Sequence, residues 1–203
     1  MVLFWHNHFA TEVLTVGDAR KSYKLNAMFR ANALGNFKTL VKNVTVDPSM
    51  LVYLNGYLNT KTAPDENYAR EVMQLFTIGL YELNLDGSQK LDGQGKPIET
   101  YTNTDIQGLA RVFTGWNTAT GTDPSGELAP AAYRHGLPMT LNATLHSPEE
   151  KRFLNVVIPA GTDGIRSLKI ALDALFQHSN TAPFIGKQLI QRLVTSNQIG
   201  RAS

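Results

Sequence analysis

The sequence predicts a mostly α-helical fold, a multi-helix globular bundle with one small irregular β hairpin or extended segment. Apolar residues recur three and four positions apart along most of the chain, which is the period of an amphipathic helix. Glycine, proline and capping residues separate these stretches. With 203 residues and 42% hydrophobic content, the chain can bury one sizeable core. Residues 1–203 are therefore predicted to form a single helical domain.

The first predicted helix covers residues 2–14. Successive side chains of a helix lie about 100° apart, so Val2, Trp5 and Phe9 fall on one apolar face. His6 lies inside that face on the same projection. His8 points to the other side, within reach of Glu12.

Four further helices are predicted in the first half of the chain. Glycine or asparagine ends several of these stretches, and Asp47-Pro48 starts one of them, because proline suits the first turn of a helix. The predicted spans are 23–34, 37–46, 50–54 and 65–80.

Two segments, 82–102 and 117–160, interrupt the helical pattern and are predicted to be loop or extended insertions. Both are rich in turn residues, and only 153–158 has the β-branched content of a strand. Between them, Thr104 and Gln107 have the spacing of a capping box ahead of another helix. The chain ends in two helices, 165–176 and 185–193, and Asn180 or Thr181 is predicted to cap the second.

Composition excludes several classes of function. Nineteen basic and seventeen acidic residues leave a formal charge of +2 without a run of Lys or Arg, so nucleic acid is not predicted as a partner. The longest apolar runs, 1–5 and 156–160, are far shorter than the ~20 residues that span a membrane. There is no cysteine. A metal would therefore need His, Asp, Glu or Asn as ligands.

The two histidines of Trp5-His6-Asn7-His8-Phe9 would chelate one ion only in a strand, where alternate residues share a face. In a helix they diverge by roughly 160°. His6, with Asn7, is therefore predicted to be a structural polar residue in the interior. His8 is the candidate metal ligand, and the alternative is a surface pair with Glu12.

Four polar groups lie in the first turns of the 65–80 helix. The functional interpretation makes Glu66 and Glu71 a ligand or general base, with Arg70 as a catalytic or orienting group. Arg70 and Asn67 would then contact the substrate. The alternative is a solvated helix face, whose acids lie favourably near the helix N-terminus.

His146 precedes a predicted turn, where histidines are more accessible than in a core. It is a lone histidine, and it completes a predicted metal set of His8, Glu71 and His146. The familiar hydrolase, zinc-protease and nucleotide-binding motifs are absent from the sequence.

Several segments together resemble a bacterial family known as domain of unknown function 1800, or DUF1800. Order and spacing both agree over nearly the whole chain. The matching pieces are 3–9, 32–37, Asp47-Pro48, 66–71 with 75–79, 110–116, His146 with 151–154, and 183–187.

This resemblance implies that the chain corresponds to the middle-to-late part of longer proteins. It also implies a periplasmic or extracellular setting, and a neighbouring gene product similar to sulfatases and alkaline phosphatases. It implies no activity. It does draw attention to the polar residues of the matching segments, His6, His8, Glu66, Arg70, Glu71 and His146.

The leading hypothesis is an exported protein with a polar site suited to a divalent metal ion, and hydrolysis is the first reaction class. The competing hypothesis is a non-catalytic partner or scaffold of the sulfatase- or phosphatase-like neighbour, in which buried polar networks fix helix packing. A third is a polysaccharide-binding module that uses Trp116 and the aromatic-bearing loops as a platform.

Overall fold

A computed structural model describes residues 1–119 and 137–194. Of these residues, 51% are helical, and two small antiparallel strand pairs accompany the helices, which confirms the predicted fold class. No helix in the described part of the chain has the length and apolarity that a membrane crossing requires.

The first half consists of short helices joined by tight turns. They are α1 (Val2–His8), α2 (Val13–Val16), α3 (Ala19–Ala31), α4 (Phe37–Thr45) and α5 (Pro48–Tyr53), followed by a 3-10 turn (Gly56–Leu58). Asp18, Asn36 and Asp47 cap α3, α4 and α5 with their side chains, each accepting a hydrogen bond from a backbone N–H two or three residues on.

The prediction of one helix over 2–14 is wrong. The helix ends at His8, and α2 begins only at Val13. Phe9 leaves the helical conformation at a fully buried position, where its ring contacts Phe29 and Phe76. A straight continuation would have carried Val13 along the same face, whereas Val13 is 55% exposed.

The second half is built around α7. The elements are α6 (Asn67–Glu71), which continues as a π-helical turn (Val72–Thr77), then α7 (Asn103–Val112), α8 (Gly164–Gln177) and α9 (Thr181–Leu193). The capping box that starts α7 pairs Thr102 with Asp105, not Thr104 with Gln107. Asp105 also accepts a hydrogen bond from the Leu154 backbone at 2.7 Å, so the capping residue ties α7 to the following hairpin.

The strands form two antiparallel pairs. Strands β1 (Trp116–Asn117) and β2 (Thr140–Leu141) make one pair, and β3 (Lys151–Phe153) and β4 (Val156–Ile158) make the other. The single extended segment predicted over 153–158 is therefore a hairpin, which turns at Leu154 and Asn155 with φ values of 46° and 62°. The predicted insertion 117–160 lies partly outside the described residues. In 82–102 the chain makes isolated antiparallel bridges, including Leu83 with Gln89.

The core lies where α7 packs between α6, α8 and the β3–β4 hairpin. Gly108 of α7 meets the backbone of β3 so closely that a Cβ there would overlap the Arg152 carbonyl oxygen. Tyr68 is 1% exposed, and its hydroxyl donates to Thr45 Oγ1 at 2.8 Å. The π-helical turn, which continues α6, contacts α8 and α9, and His8 of α1 reaches its Phe76 carbonyl.

Candidate functional site

The π-helical turn widens the helix locally, at the place where α1 and α9 pass it. The Ile78 N–H donates to the Met73 carbonyl, five residues back, at 3.1 Å, and Thr77 Oγ1 donates to the Val72 carbonyl at 2.5 Å. Such wide turns are rare and are often found at functional sites. Phe76 lies in the last turn before the helix ends at Thr77, where carbonyls have no partner within the helix, so its carbonyl is free for a side chain from α1.

His8 donates a hydrogen bond to that carbonyl. Its Nε2 lies 3.1 Å from Phe76 O, and its Nδ1 lies 3.3 Å from Oε1 of Gln188 in α9. A carbonyl only accepts, so Nε2 carries the proton. Burial lowers the pKa of His8, opposed by the bonds to Phe76 and Gln188, so the ring is neutral near pH 7.

Neutral His8 fixes the orientation of the Gln188 amide. With its proton on Nε2, the ring has only a lone pair at Nδ1, which needs a donor. The amide satisfies this need when its NH₂ group faces His8, because the two ends of a carboxamide exchange by a half-turn. This half-turn exchanges the NH₂ group with Oε1, the atom that the structure places against Nδ1, and turns the carbonyl oxygen of Gln188 away from His8.

A cleft of about 520 Å³ lies beside this contact, and we call it the amide cleft. Five carboxamide side chains line it: Asn7, Gln74, Gln89, Gln188 and Gln191. Its apolar lining includes Leu75, Leu80 and Leu83, and its rings are Tyr81, Phe184 and His8. None of the described lining residues is a carboxylate.

Lys187 is the cationic residue of the lining, and it is already engaged. Its Nζ donates to the Gly87 carbonyl at 2.8 Å, and its aliphatic chain packs over Gly87. The amide cleft is therefore polar through neutral groups that both donate and accept hydrogen bonds.

Asn180 holds one wall of the cleft. It is 2% exposed, and its Nδ2 donates to the carbonyls of Ile78 and Tyr81 at 2.5 and 2.9 Å. Its Oδ1 accepts from the Leu83 N–H at 2.6 Å. Asn180 precedes α9 as predicted, but its side chain fixes the 78–83 segment and makes no capping bond.

The structure reverses the predicted roles of the first two histidines. His6 is exposed, with only the edge of its ring towards Phe29, so it is not an interior anchor. Asn7 is exposed and lines the cleft. His8, by contrast, lies among Phe4, Phe9 and Phe76, and it bonds Gln188 and Phe76, not Glu12.

The polar residues of α6 lie elsewhere, on a partly exposed helix face. Arg70 pairs with Glu66 at 3.0 Å and approaches Asn103 Oδ1 at 3.5 Å. Burial raises the pKa of Glu71, opposed by Arg70. Asn67 is exposed. These four residues do not line the amide cleft.

His146 is enclosed, although a loop position was predicted to be accessible. It is 7% exposed, and its Nδ1 donates to the Thr114 carbonyl at 2.9 Å. Gly115 and Gly164 pack so closely on it that a Cβ at either would crowd the histidine. Its Nε2 is buried without a hydrogen-bond partner among the described residues.

The predicted metal ligands His8, Glu71 and His146 are not gathered. Within residues 1–119 and 137–194, no three His, Asp or Glu side chains are placed to hold one ion. Trp116, the predicted platform for a polysaccharide, is 7% exposed and belongs to the core.

Sequence reasoning missed the glutamines. Gln188 and Gln191 are three residues apart and so share one edge of α9, but glutamine is a common solvent-facing helix residue. Their spacing indicates a site only in the folded protein, where α9 lies beside α1 and the π-helical turn.

No curated protein and no solved structure matches this chain. A family model does, described as a protein of unknown function (DUF1800), and it covers residues 1–202. The chain therefore belongs to the DUF1800 family.

Proposed function

We propose that this protein binds a neutral, hydroxyl-rich ligand, a carbohydrate, in the amide cleft. The observation that carries the proposal is the lining itself. Five carboxamide residues line a cleft of about 520 Å³ whose described lining contains no carboxylate, and this volume lies within the usual range for small-molecule sites.

Carboxamides suit hydroxyl groups because both donate and accept hydrogen bonds. A sugar can therefore exchange its bonds to water for bonds to the cleft without burying an unpaired charge. The C–H faces of a sugar ring need apolar contact, which Leu75 and the rings of Tyr81 and Phe184 supply. Leu75 is 51% exposed.

The walls are held in place before any ligand arrives. Asn180 fixes the 78–83 segment through three hydrogen bonds. Phe184 packs directly over Gly79, which adopts a φ of 75°. Such preorganisation lowers the entropy cost of binding.

The cleft supports binding better than hydrolysis. General acid–base catalysis needs a titratable group free to exchange a proton with the substrate. The titratable side chains of the described lining are His8, Tyr81 and Lys187, and two of them are engaged: Nε2 of His8 donates to the Phe76 carbonyl and Nζ of Lys187 donates to the Gly87 carbonyl. Export and association with a sulfatase- or phosphatase-like partner stay predictions, and co-purification of the full-length proteins would test the second.

The test is isothermal titration with neutral mono- and oligosaccharides. Gln74→Ala and Gln191→Ala should each weaken binding about three- to tenfold, the usual worth of one hydrogen bond. Gln107→Ala is the matched control, because Gln107 is an exposed helical glutamine outside the cleft. Saccharide binding that the cleft variants leave unchanged, or no saccharide binding at all, would overturn the proposal.

A further inference from the structure

A second cleft of about 360 Å³ adjoins the amide cleft. The two share three lining residues, Asn7, His8 and Gln188. Since His8 and Gln188 are hydrogen-bonded to each other, the clefts lie on either side of one polar ridge between α1 and α9.

The second cleft has a different lining. Beyond the shared ridge most of its lining residues are apolar, Met1, Leu3, Phe4 and Leu193, and Arg192 contributes a guanidinium group. Leu3 is 72% exposed and Leu193 is 53% exposed. Amide groups on the ridge therefore stand next to uncovered aliphatic side chains and a donor-only guanidinium.

We propose that the two clefts are consecutive subsites for one oligosaccharide built of N-acetylated sugars. This inference rests on the proposed carbohydrate binding and names its substrate class. The chain of sugars crosses the His8–Gln188 ridge, with one end in the amide cleft and the other in the second cleft.

An acetamido group matches the second cleft because it combines an amide with a methyl group. Its methyl covers Leu3 and Leu193, which are otherwise exposed. Its amide pairs with the carboxamides of Asn7 and Gln188 on the ridge, and its carbonyl oxygen accepts from Arg192. A plain hydroxylated sugar leaves the apolar side of this cleft uncovered.

The test is a titration series with β-1,4-linked N-acetylglucosamine as mono-, di-, tetra- and hexasaccharide, with glucose oligomers of equal length alongside. Affinity should rise about tenfold between the disaccharide and the tetrasaccharide as the second cleft fills. The acetylated tetrasaccharide should bind more tightly than its glucose counterpart.

Leu3→Gln separates the two clefts, because Leu3 lines only the second. It should abolish the gain with length and leave affinity for the monosaccharide unchanged, whereas Gln74→Ala should weaken every length. Leu34→Gln is the matched control, because Leu34 is an 88% exposed leucine outside both clefts.

The outcomes separate the two proposals. Equal affinity at all lengths, or a gain that Leu3→Gln leaves intact, overturns the second subsite while carbohydrate binding stands. Equal binding of glucose and N-acetylglucosamine oligomers overturns the assignment to acetylated sugars. No binding by any saccharide overturns carbohydrate binding itself, and the subsite with it.

Discussion

Two histidines mark two regions that are built in opposite ways. His146 lies in a closed junction where Gly115 and Gly164 leave no room for a side chain. His8 lies at an open junction, where a cleft lined by five uncharged amides adjoins its ring. Burial lowers the pKa of both histidines. A histidine with a lowered pKa therefore does not by itself indicate a functional site. The space around the ring distinguishes the two cases.

The closed region continues into the contact between α7 and the β3–β4 hairpin. Lys151 is fully buried there, and its Nζ donates to the carbonyls of Ser147 and Glu149. The Lys151 ammonium group is therefore paired with backbone atoms of the same closed region. In the open region, Asn7 and Gln191 make no side-chain hydrogen bond to any residue that the structure describes.

The largest effect is expected for Gly108→Ala in the closed region. The new Cβ would overlap the Arg152 carbonyl oxygen, so α7 and β3 must separate. We expect a loss of about 3 kcal/mol in the free energy of unfolding, measured by urea denaturation.

Gly186→Ala is the matched control, because Gly186 is also a helical glycine but nothing lies within 4 Å of its Cβ position. It should stabilise the protein by up to about 1 kcal/mol through helix propensity. Equal effects at the two glycines would show that the closed contact is not tight.

His146→Ala and His8→Ala should separate stability from binding. His146→Ala removes a buried ring and the bond to the Thr114 carbonyl, for a loss of about 2 kcal/mol, without weakening saccharide affinity in the protein that remains folded. His8→Ala should cost less stability and weaken that affinity, because Gln188 loses its orientation. The reverse pattern would contradict the comparison.

The His146 contribution should also depend on pH. Its folded-state pKa lies below the ordinary value of 6.5, so the neutral ring stabilises the fold above that value. The stability is lost as the pH falls through the folded-state pKa. The difference between wild type and His146→Ala should therefore shrink on acidification, as measured by denaturation at several pH values.

Asp47 tests the cost of charge in another closed position. Burial raises its pKa to about 6, opposed by bonds from Ser49 and Met50 and by Lys21. Because the folded-state pKa exceeds the ordinary 3.8, its contribution is complete below that value and is lost as the pH rises through about 6.

Asp47→Asn keeps a good helix cap and removes the charge. It should make the protein more stable than wild type by about 2 kcal/mol at pH 8, and by much less at pH 5. Thermal unfolding of both proteins at the two pH values measures the difference. An equal difference at both would contradict a buried, titrating Asp47.

The smallest effect is expected for Arg70→Ala. Arg70 and Glu66 form a partly exposed ion pair between positions four apart on the helix, and such pairs contribute about 0.5 kcal/mol or less. Saccharide affinity should not change. A large loss of binding would return the α6 residues to the candidate site.

Local features were readable from the sequence. Asp47-Pro48 starts a helix because the cap and the proline act within one turn. The end of α1 was not readable, because it depends on the burial of Phe9 against Phe29 and Phe76, which come from distant segments. The local sequence does not predict the left-handed turn conformation of Leu154 either.

The candidate site was predictable only in part. His8 stood out as the histidine with chemistry still open, but its partner Gln188 lies 180 positions away. The enclosure of His146 was equally hidden, because the glycines that pack against it come from distant segments, Gly115 just before β1 and Gly164 at the start of α8. Glutamines carry no charge and no fixed pairing distance along the chain, so nothing local marked them.

The π-helical turn also sets how α6 is rotated about its own axis. Its hydrogen bonds span five residues where those of an α-helix span four, so the turn contains one residue more than an α-helical turn. Deleting a single residue within Val72–Thr77 would restore an α-helix and rotate α6 by about 100° relative to α9. The extra residue thus fixes how the core-facing side of α6 is rotated relative to the Phe76 carbonyl that meets His8.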